Sequence, residues 1–130
     1  MNVEEALYAR LAADAGVVHL ASTRIYPLVI PQDVDLPALA YQRITYSPVR
    51  EHAGVSDWAA GRFQLTCTAA TYAAAVGLAT AVRRCLDGFR GVLAGGVTVA
   101  ECSVEGQVDG YNEIADTATV RVDVEMLYRE

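Results

Sequence analysis

The stretch that decides the fold lies near the C-terminus, at residues 119–129, which read TVRVDVEMLYR. Apolar and polar side chains alternate here. Because successive side chains of a β-strand point to opposite faces of the sheet, the pattern predicts a strand with one face on a core and the other in water. The apolar face carries Val120, Val122, Val124, Met126 and Tyr128, and the polar face carries Thr119, Arg121, Asp123, Glu125 and Arg129.

Further strands are predicted upstream of this segment. Residues 39–46 are rich in aromatic and β-branched side chains, residues 62–68 alternate, and residues 97–104 alternate less regularly. A short extended piece is expected at 24–27. Two stretches contain turn-forming residues and are predicted as connections, namely 47–61, which is long for a loop, and 106–115.

Two segments have the 3.6-residue apolar period of a helix. Residues 3–15 follow Asn2, a good N-cap, and Gly16 is expected to end that helix. Residues 72–86 follow Thr71 and end before Gly88. The whole chain, residues 1–130, is therefore predicted to be one α+β two-layer domain, mainly an antiparallel β-sheet with two helices packed on one face.

The charge is unevenly distributed along the 130 residues, whose formal net charge is −6. Residues 1–39 carry −3, residues 40–100 carry +3 and residues 101–130 carry −6. Overall acidity argues against nucleic-acid binding as the main task. The uneven distribution of charge along the chain is explained either by unrelated solvated faces or by a positive surface of one subunit meeting a negative surface of another.

The sequence contains no residue pattern typical of a catalytic or metal-binding site. Three cysteines, Cys67, Cys85 and Cys102, are far apart and form no CxxC pair, so buried free thiols are predicted and a zinc site is not. No phosphate-binding or nucleophile motif is present, and Asp123 and Glu125 are interpreted as solvated strand residues. His52 is conceivable as a general base but lies in the predicted loop. No cofactor, metal or membrane span is expected, and the lack of a signal-peptide pattern favours the cytoplasm.

The predicted loop at 47–61 contains the only tryptophan, Trp58. Tryptophan is favoured at protein interfaces, and it also often packs back on its own domain. We expect this segment to be mobile in the free subunit and to contact a partner through Arg50, Trp58 and Arg62.

Several segments together resemble a family, the bacteriophage tail completion proteins, also called tail terminators or head-tail joining proteins. Each match is weak alone, but they occur in the expected order along nearly the whole chain. They are EALYARL at 5–11, RIYP at 24–27, LP at 36–37 leading to YQRI at 41–44, ATY at 70–72, LDGF at 86–89 and YRE at 128–130.

The resemblance implies a structural virion protein and not an enzyme. Members of that family form a ring, usually of six subunits, at the head-proximal end of the tail tube, where the ring stops tail growth and joins the head. The implied partners are copies of this chain, the major tail tube protein and a head-closure or connector protein, with double-stranded DNA passing through the lumen without specific binding. The implied location is the tail-neck region of the virion, after assembly in the bacterial cytoplasm.

Interface residues expected from the loop and from the charge polarity are Arg50, Trp58, Arg62, Arg83, Arg84, Asp123 and Glu125. The alternatives are another neck, adaptor or oligomeric scaffold protein, or a small α+β enzyme that uses His52. The source particle is expected to be a phage, a prophage remnant or a gene transfer agent.

Overall fold

The computed structural model describes residues 2–51 and 54–130. Three α-helices and six strands occur in this part of the chain, together with a short 3₁₀ turn at Ala94–Gly96. The helices are α1 (Val3–Ala13), α2 (Ala15–Ala21) and α3 (Tyr72–Leu86), and the strands are β1 (Ile25–Pro27), β2 (Ala38–Glu51), β3 (Gly54–Ala69), β4 (Gly91–Val92), β5 (Thr98–Asn112) and β6 (Thr117–Arg129). No helix of the described residues is long and apolar enough to cross a bilayer.

The strands form one six-stranded sheet in the order β1-β2-β3-β6-β5-β4. All neighbouring pairs are antiparallel except β1 and β2, which are parallel. The two outermost strands are very short, so β2 and β5 form most of the two sheet edges. The predicted α+β class with a mainly antiparallel sheet is confirmed.

One face of the sheet and the helices enclose the core. The alternation predicted for the last strand is confirmed, because Val120, Val122, Val124, Met126 and Tyr128 of β6 are all buried. On β3, which lies beside it, Phe63, Leu65 and Cys67 share the same face. The helices close this core with Leu7 and Leu11 of α1, Val17 of α2, and Leu78, Val82 and Leu86 of α3.

The first predicted helix is in fact two helices. Asp14 has an extended backbone, and its carboxylate accepts a hydrogen bond from the Val17 N–H at 3.0 Å, which caps the start of α2. Gly16 therefore lies inside the second helix, and its prediction as a stop is wrong. The cause is that Asp favours an N-cap over a helix interior, and this preference outweighs the continuous apolar period.

The prediction of a loop over 47–61 is also wrong. Residues 47–51 continue β2 and residues 54–61 begin β3, so the segment is the far end of a long β-hairpin. Two irregularities interrupt the pairing of β2 with β3, one between Arg43 and Thr45, with an extra residue in β2, and one between Pro48 and Arg50, with extra residues in β3. Such bulges interrupt the alternation of apolar and polar residues, so the strands are not recognisable from the sequence pattern.

The connection predicted at 106–115 is shorter than expected, for the same reason. β5 continues to Asn112, and another irregularity falls between Val104 and Gly106. The Asp109-Gly110 pair, predicted as turn chemistry, lies within the strand, and the actual turn comes at 113–116. The turn places the Asp116 backbone at a positive φ of 52°.

Two glycines allow the packing to be tested. A Cβ on Gly61 would lie 3.0 Å from the rings of both Phe63 and Tyr128, which are buried, whereas a Cβ on Gly77 in α3 would meet nothing within 4 Å. Gly61→Ala should lower the free energy of unfolding by about 1–2 kcal/mol, because the rings must move. Gly77→Ala should raise it by up to about 1 kcal/mol, because alanine is the better helix former. Urea unfolding of both variants measures this, and equal effects would contradict the packing.

Candidate interaction surfaces

Four of the seven predicted interface residues meet on the face of the sheet that the helices leave open, which we call the outer face. Strand β3 places Trp58 and Arg62 there, and β6 places Asp123 and Glu125 there, because these residues alternate with the buried ones. The register pairs Trp58 with Arg129, Arg62 with Glu125, and Gln64 with Asp123.

Opposite groups on the outer face interact in pairs. Arg62 Nη2 lies 3.5 Å from Glu125 Oε2, and Gln64 Nε2 donates to Asp123 Oδ1 at 3.3 Å. The Arg129 guanidinium lies over the Trp58 ring, 5.1 Å from its centroid. Such partly exposed ion pairs contribute at most about 1 kcal/mol each, so their main effect is to neutralise the surface locally.

Arg50 lies apart from this group. It faces Val55 near the end of the β2–β3 hairpin, whereas the pairing of β3 with β6 starts only at Trp58. The hairpin therefore projects beyond the rest of the sheet and carries an exposed Arg50. His52, the residue of the enzyme alternative, lies outside the described residues.

Arg83 and Arg84 lie in the helix layer, on the opposite side of the molecule from the outer face. Both belong to the last turn of α3, where cations interact favourably with the helix dipole. Arg83 Nη2 donates to the Thr80 hydroxyl at 3.2 Å. An open groove beside them is lined by Thr80, Arg83, Arg84, Asp87 and Val104. The structure thus does not bring these arginines to the other predicted interface residues.

The three cysteines are free and buried, as predicted. Burial raises the pKa of Cys67 to about 12 and that of Cys85 to about 11. Burial, reinforced by the Asp87 carboxylate, raises the pKa of Cys102 to about 12. Thiols with such pKa values stay protonated near neutral pH and are poor nucleophiles.

The acidic side chains of the outer face are paired with neighbours and form no metal-ligating cluster within the described residues. No group of three or more His, Cys, Asp and Glu side chains among residues 2–51 and 54–130 could hold a metal ion. The carboxylates of Asp123 and Glu125 each have a polar partner from β3. The arrangement is suited to contact between surfaces.

Exposed apolar side chains on the two sheet edges were missed by the sequence reasoning. Ile44, Tyr46 and Val49 are exposed on β2, and Val108, Tyr111 and Ile114 are exposed on or near the β5–β6 turn. The detectable signal was Ile114, a large apolar residue in a segment otherwise made of polar and turn-forming residues. Clusters of exposed apolar residues are typical of interaction sites.

Comparison with known proteins decides the family. Residues 5–129 match the family described as tail completion protein gp17. The chain belongs to this family. The resemblance seen in the sequence is thereby confirmed, and the chain is a structural protein of phage-type tails.

A solved structure titled "Virion of native gene transfer agent (GTA) particle" contains a chain with the same fold. The TM-score is 0.82 at 22% sequence identity, over 98% of this chain and 95% of that one. No curated protein matches the sequence.

The thiols give a direct test of the buried cysteines. Because their pKa values are raised, the thiolate forms are negligible below about pH 9. Folded protein should therefore react with fewer than one equivalent of a thiol-specific disulfide reagent at about pH 8, and three equivalents should react once guanidinium unfolds the chain. Stoichiometric labelling of the folded protein would show that at least one thiol is accessible.

Proposed function

We propose that this tail completion protein forms a closed ring of about six subunits at the head-proximal end of the tail tube. There it stops tube growth and offers the surface to which the head is joined. The observation that carries the proposal is the match to the tail completion family, which extends over residues 5–129.

The structure of the subunit suits a ring. A ring needs a heterologous interface, in which two different patches of each subunit meet those of its neighbours and the rotation closes. The two long sheet edges, β2 and β5, differ in charge and in apolar side chains, so they provide two different patches. A chain with the same fold is part of a virion particle, which supports a structural role for this subunit.

The partners follow from this position. The ring would contact the major tail tube protein on one side and a head-closure or connector protein on the other, within the neck of the virion, after assembly in the bacterial cytoplasm. We propose that Arg50, Trp58, Arg62, Arg83, Arg84, Asp123 and Glu125 take part in these interfaces. Their distribution over the projecting hairpin, the outer face and the helix layer fits contacts with more than one partner.

Double-stranded DNA would pass through the lumen without specific binding. The chain is acidic overall, and two positive groups of the outer face, Arg62 and Arg129, already interact with β6 or β3 neighbours. Tight DNA binding requires clustered Lys and Arg that are free to replace the counterions of the phosphates.

Ring formation is tested by electron microscopy and light scattering. Purified protein, alone at rising concentration and mixed with tail tubes, should give discrete rings or tube-end caps, together with a defined mass of about six subunits. Tubes polymerised in its presence should stop at a uniform length. Strictly monomeric protein in both experiments, with tubes of unaltered length, would contradict the proposal.

The projecting hairpin is tested by shortening it. Replacing residues 49–56 by Asn-Gly should leave the fold intact, because the replaced part lies beyond the pairing of β3 with β6, which begins at Trp58. We expect such a variant to unfold like the parent but to yield particles with unjoined heads and tails. Gly77→Ala in α3, where the added Cβ meets nothing within 4 Å, keeps the hairpin and serves as the control. Normal particles from the shortened variant would show that the hairpin is only a connection.

A further inference from the structure

The order and direction of the strands allow the sheet to continue from one copy of the chain into the next. Strands β2, β3, β6 and β5 lie side by side and alternate in direction. A second copy in the same orientation, placed beside β5, brings its β2 against that strand. Because the number of alternating strands is even, this β2 runs antiparallel to β5.

Along the outer edge of β5, backbone groups as far as Val104 have hydrogen-bond partners from β4 or from residues 87–88, and the edge beyond Val104 is free of a further described strand. Strand β4 pairs with its first two residues. The Cys102 carbonyl accepts a hydrogen bond from the Gly88 N–H at 2.8 Å, and the Val104 N–H donates to Asp87 Oδ1 at 3.0 Å. From Gly106 to Asn112, β6 is the one described strand that pairs with β5. These residues form a free edge.

On β2 the free edge begins where β1 ends. The Leu39 N–H donates to the Arg24 carbonyl at 3.0 Å, and the Tyr41 carbonyl accepts from the Leu28 N–H at 2.9 Å. Beyond Tyr41, β3 is the one described partner of β2. Pro48 ends the useful stretch, because it has no N–H to donate. The free edge of β2 is thus residues 42–47.

The two free edges lie at different heights in the sheet. Gly106 and Gln42 lie at the same level across the sheet, because Gly106 pairs with Asp123, Asp123 with Gln64, and Gln64 with Gln42. From this level the two free edges extend in opposite directions. To oppose Asn112 to Gln42, the second copy must shift by six residues, roughly 20 Å at about 3.3 Å per residue. Four strands span roughly 19 Å, so the strands would tilt by about 45° to the axis of a closed ring, near the usual range for barrels.

This shift brings exposed apolar side chains together. Ile114, at the tip of the β5–β6 turn, is 99% exposed. Leu28 and Val29, which follow β1 at the start of the free β2 edge, are 66% and 72% exposed. With Asn112 opposite Gln42, the tip of one copy lies against Leu28 and Val29 of the other.

The charges of the two edges are complementary. Residues 101–116 carry five acidic side chains and no basic one, whereas residues 42–50 carry two arginines and no acid; Arg43 forms an ion pair with Glu4 of the same subunit, so the positive charge offered to a second copy is mainly that of Arg50. In the shifted register, Arg50 of one copy lies beside Glu105 of the other, and both are exposed in the subunit. Opposite charges across strands favour this pairing over that of two identical edges.

We propose that residues 106–112 of one copy pair as an antiparallel edge with residues 42–47 of a second copy, with Ile114 of the following turn packed on Leu28 and Val29. This rests on the proposed ring and specifies its subunit interface. The occupant of the β2 edge is therefore another copy of this chain, and each copy offers one edge of each kind.

Cysteine cross-linking tests the contact, and the burial of the three native thiols provides a low background. Leu28→Cys protein mixed with Ile114→Cys protein should give a covalent dimer with a short bismaleimide. A chain carrying both substitutions should give a ladder of bands that ends at the ring size. Val92→Cys, exposed on β4 at the opposite end of β5, replaces Ile114→Cys in the matched control and should give no dimer.

Hydrogen exchange on the unmodified protein is the second measurement. Amides of 42–47 and 106–112 should exchange more slowly in rings than in dilute subunits, whereas amides of α3, which lies outside the proposed edge contact, should exchange equally in both. Rings without the cross-link or without this protection would overturn the inferred edge pairing while leaving the proposed function intact. A dimer of equal yield with Val92→Cys would also overturn it. Absence of any assembly, with or without tail tubes, would overturn both proposals.

Discussion

The pairing of β3 with β6 is the interaction on which the rest of the structure depends. It runs without a register shift from Trp58 opposite Arg129 to Ala69 opposite Ala118. This regularity assigns every side chain of the two central strands to one of two faces. Leu65 and Val122 thereby enter the core under α3, while Arg62 and Glu125 remain on the outer face. A slip of one residue would bury the charges and expose the valines, so the register is strongly determined.

The outer strands are irregular, and this irregularity has a consequence for assembly. Bulges in β2 and β5 bend the edges, and Pro48 removes one donor from β2. Such features normally protect an edge from uncontrolled pairing with other chains. Here they leave only limited free stretches at opposite ends of the sheet. A subunit with two short and different free edges is suited to add one neighbour on each side, which is the requirement for a ring rather than an aggregate.

Local patterns in the sequence predicted the elements whose structure is determined locally or by a strict period. The helix from Tyr72 to Leu86, its Thr71 cap and the alternation of β6 were predicted correctly. The length of the hairpin formed by β2 and β3 was not, because residues 47–51 and 54–61 become strands through pairing with each other across irregular registers. The division of the first helix at Asp14 depended on one capping hydrogen bond that competes with an unbroken apolar stripe. Trp58, Arg62, Asp123 and Glu125 were all named from the sequence, but their meeting on one face follows from a register that no local pattern contains.

The outer face and the two sheet edges differ in whether their charges are paired within the subunit. On the outer face, Arg62 and Glu125 lie close enough to neutralise each other, and the Arg129 guanidinium lies over an aromatic ring. At the edges, by contrast, the acidic residues of 101–116 and the arginines of 42–50 are far apart within one subunit, since β5 and β2 lie on opposite sides of the sheet. Charges neutralised within the subunit, such as Arg43 beside Glu4, add little to association, whereas the exposed Arg50 lies far from the acidic residues of β5 and can meet them only in another molecule. Charges that are paired within the subunit thus occur on the outer face, whereas the separated charges lie at the two edges, where the proposed pairing of copies would bring them together.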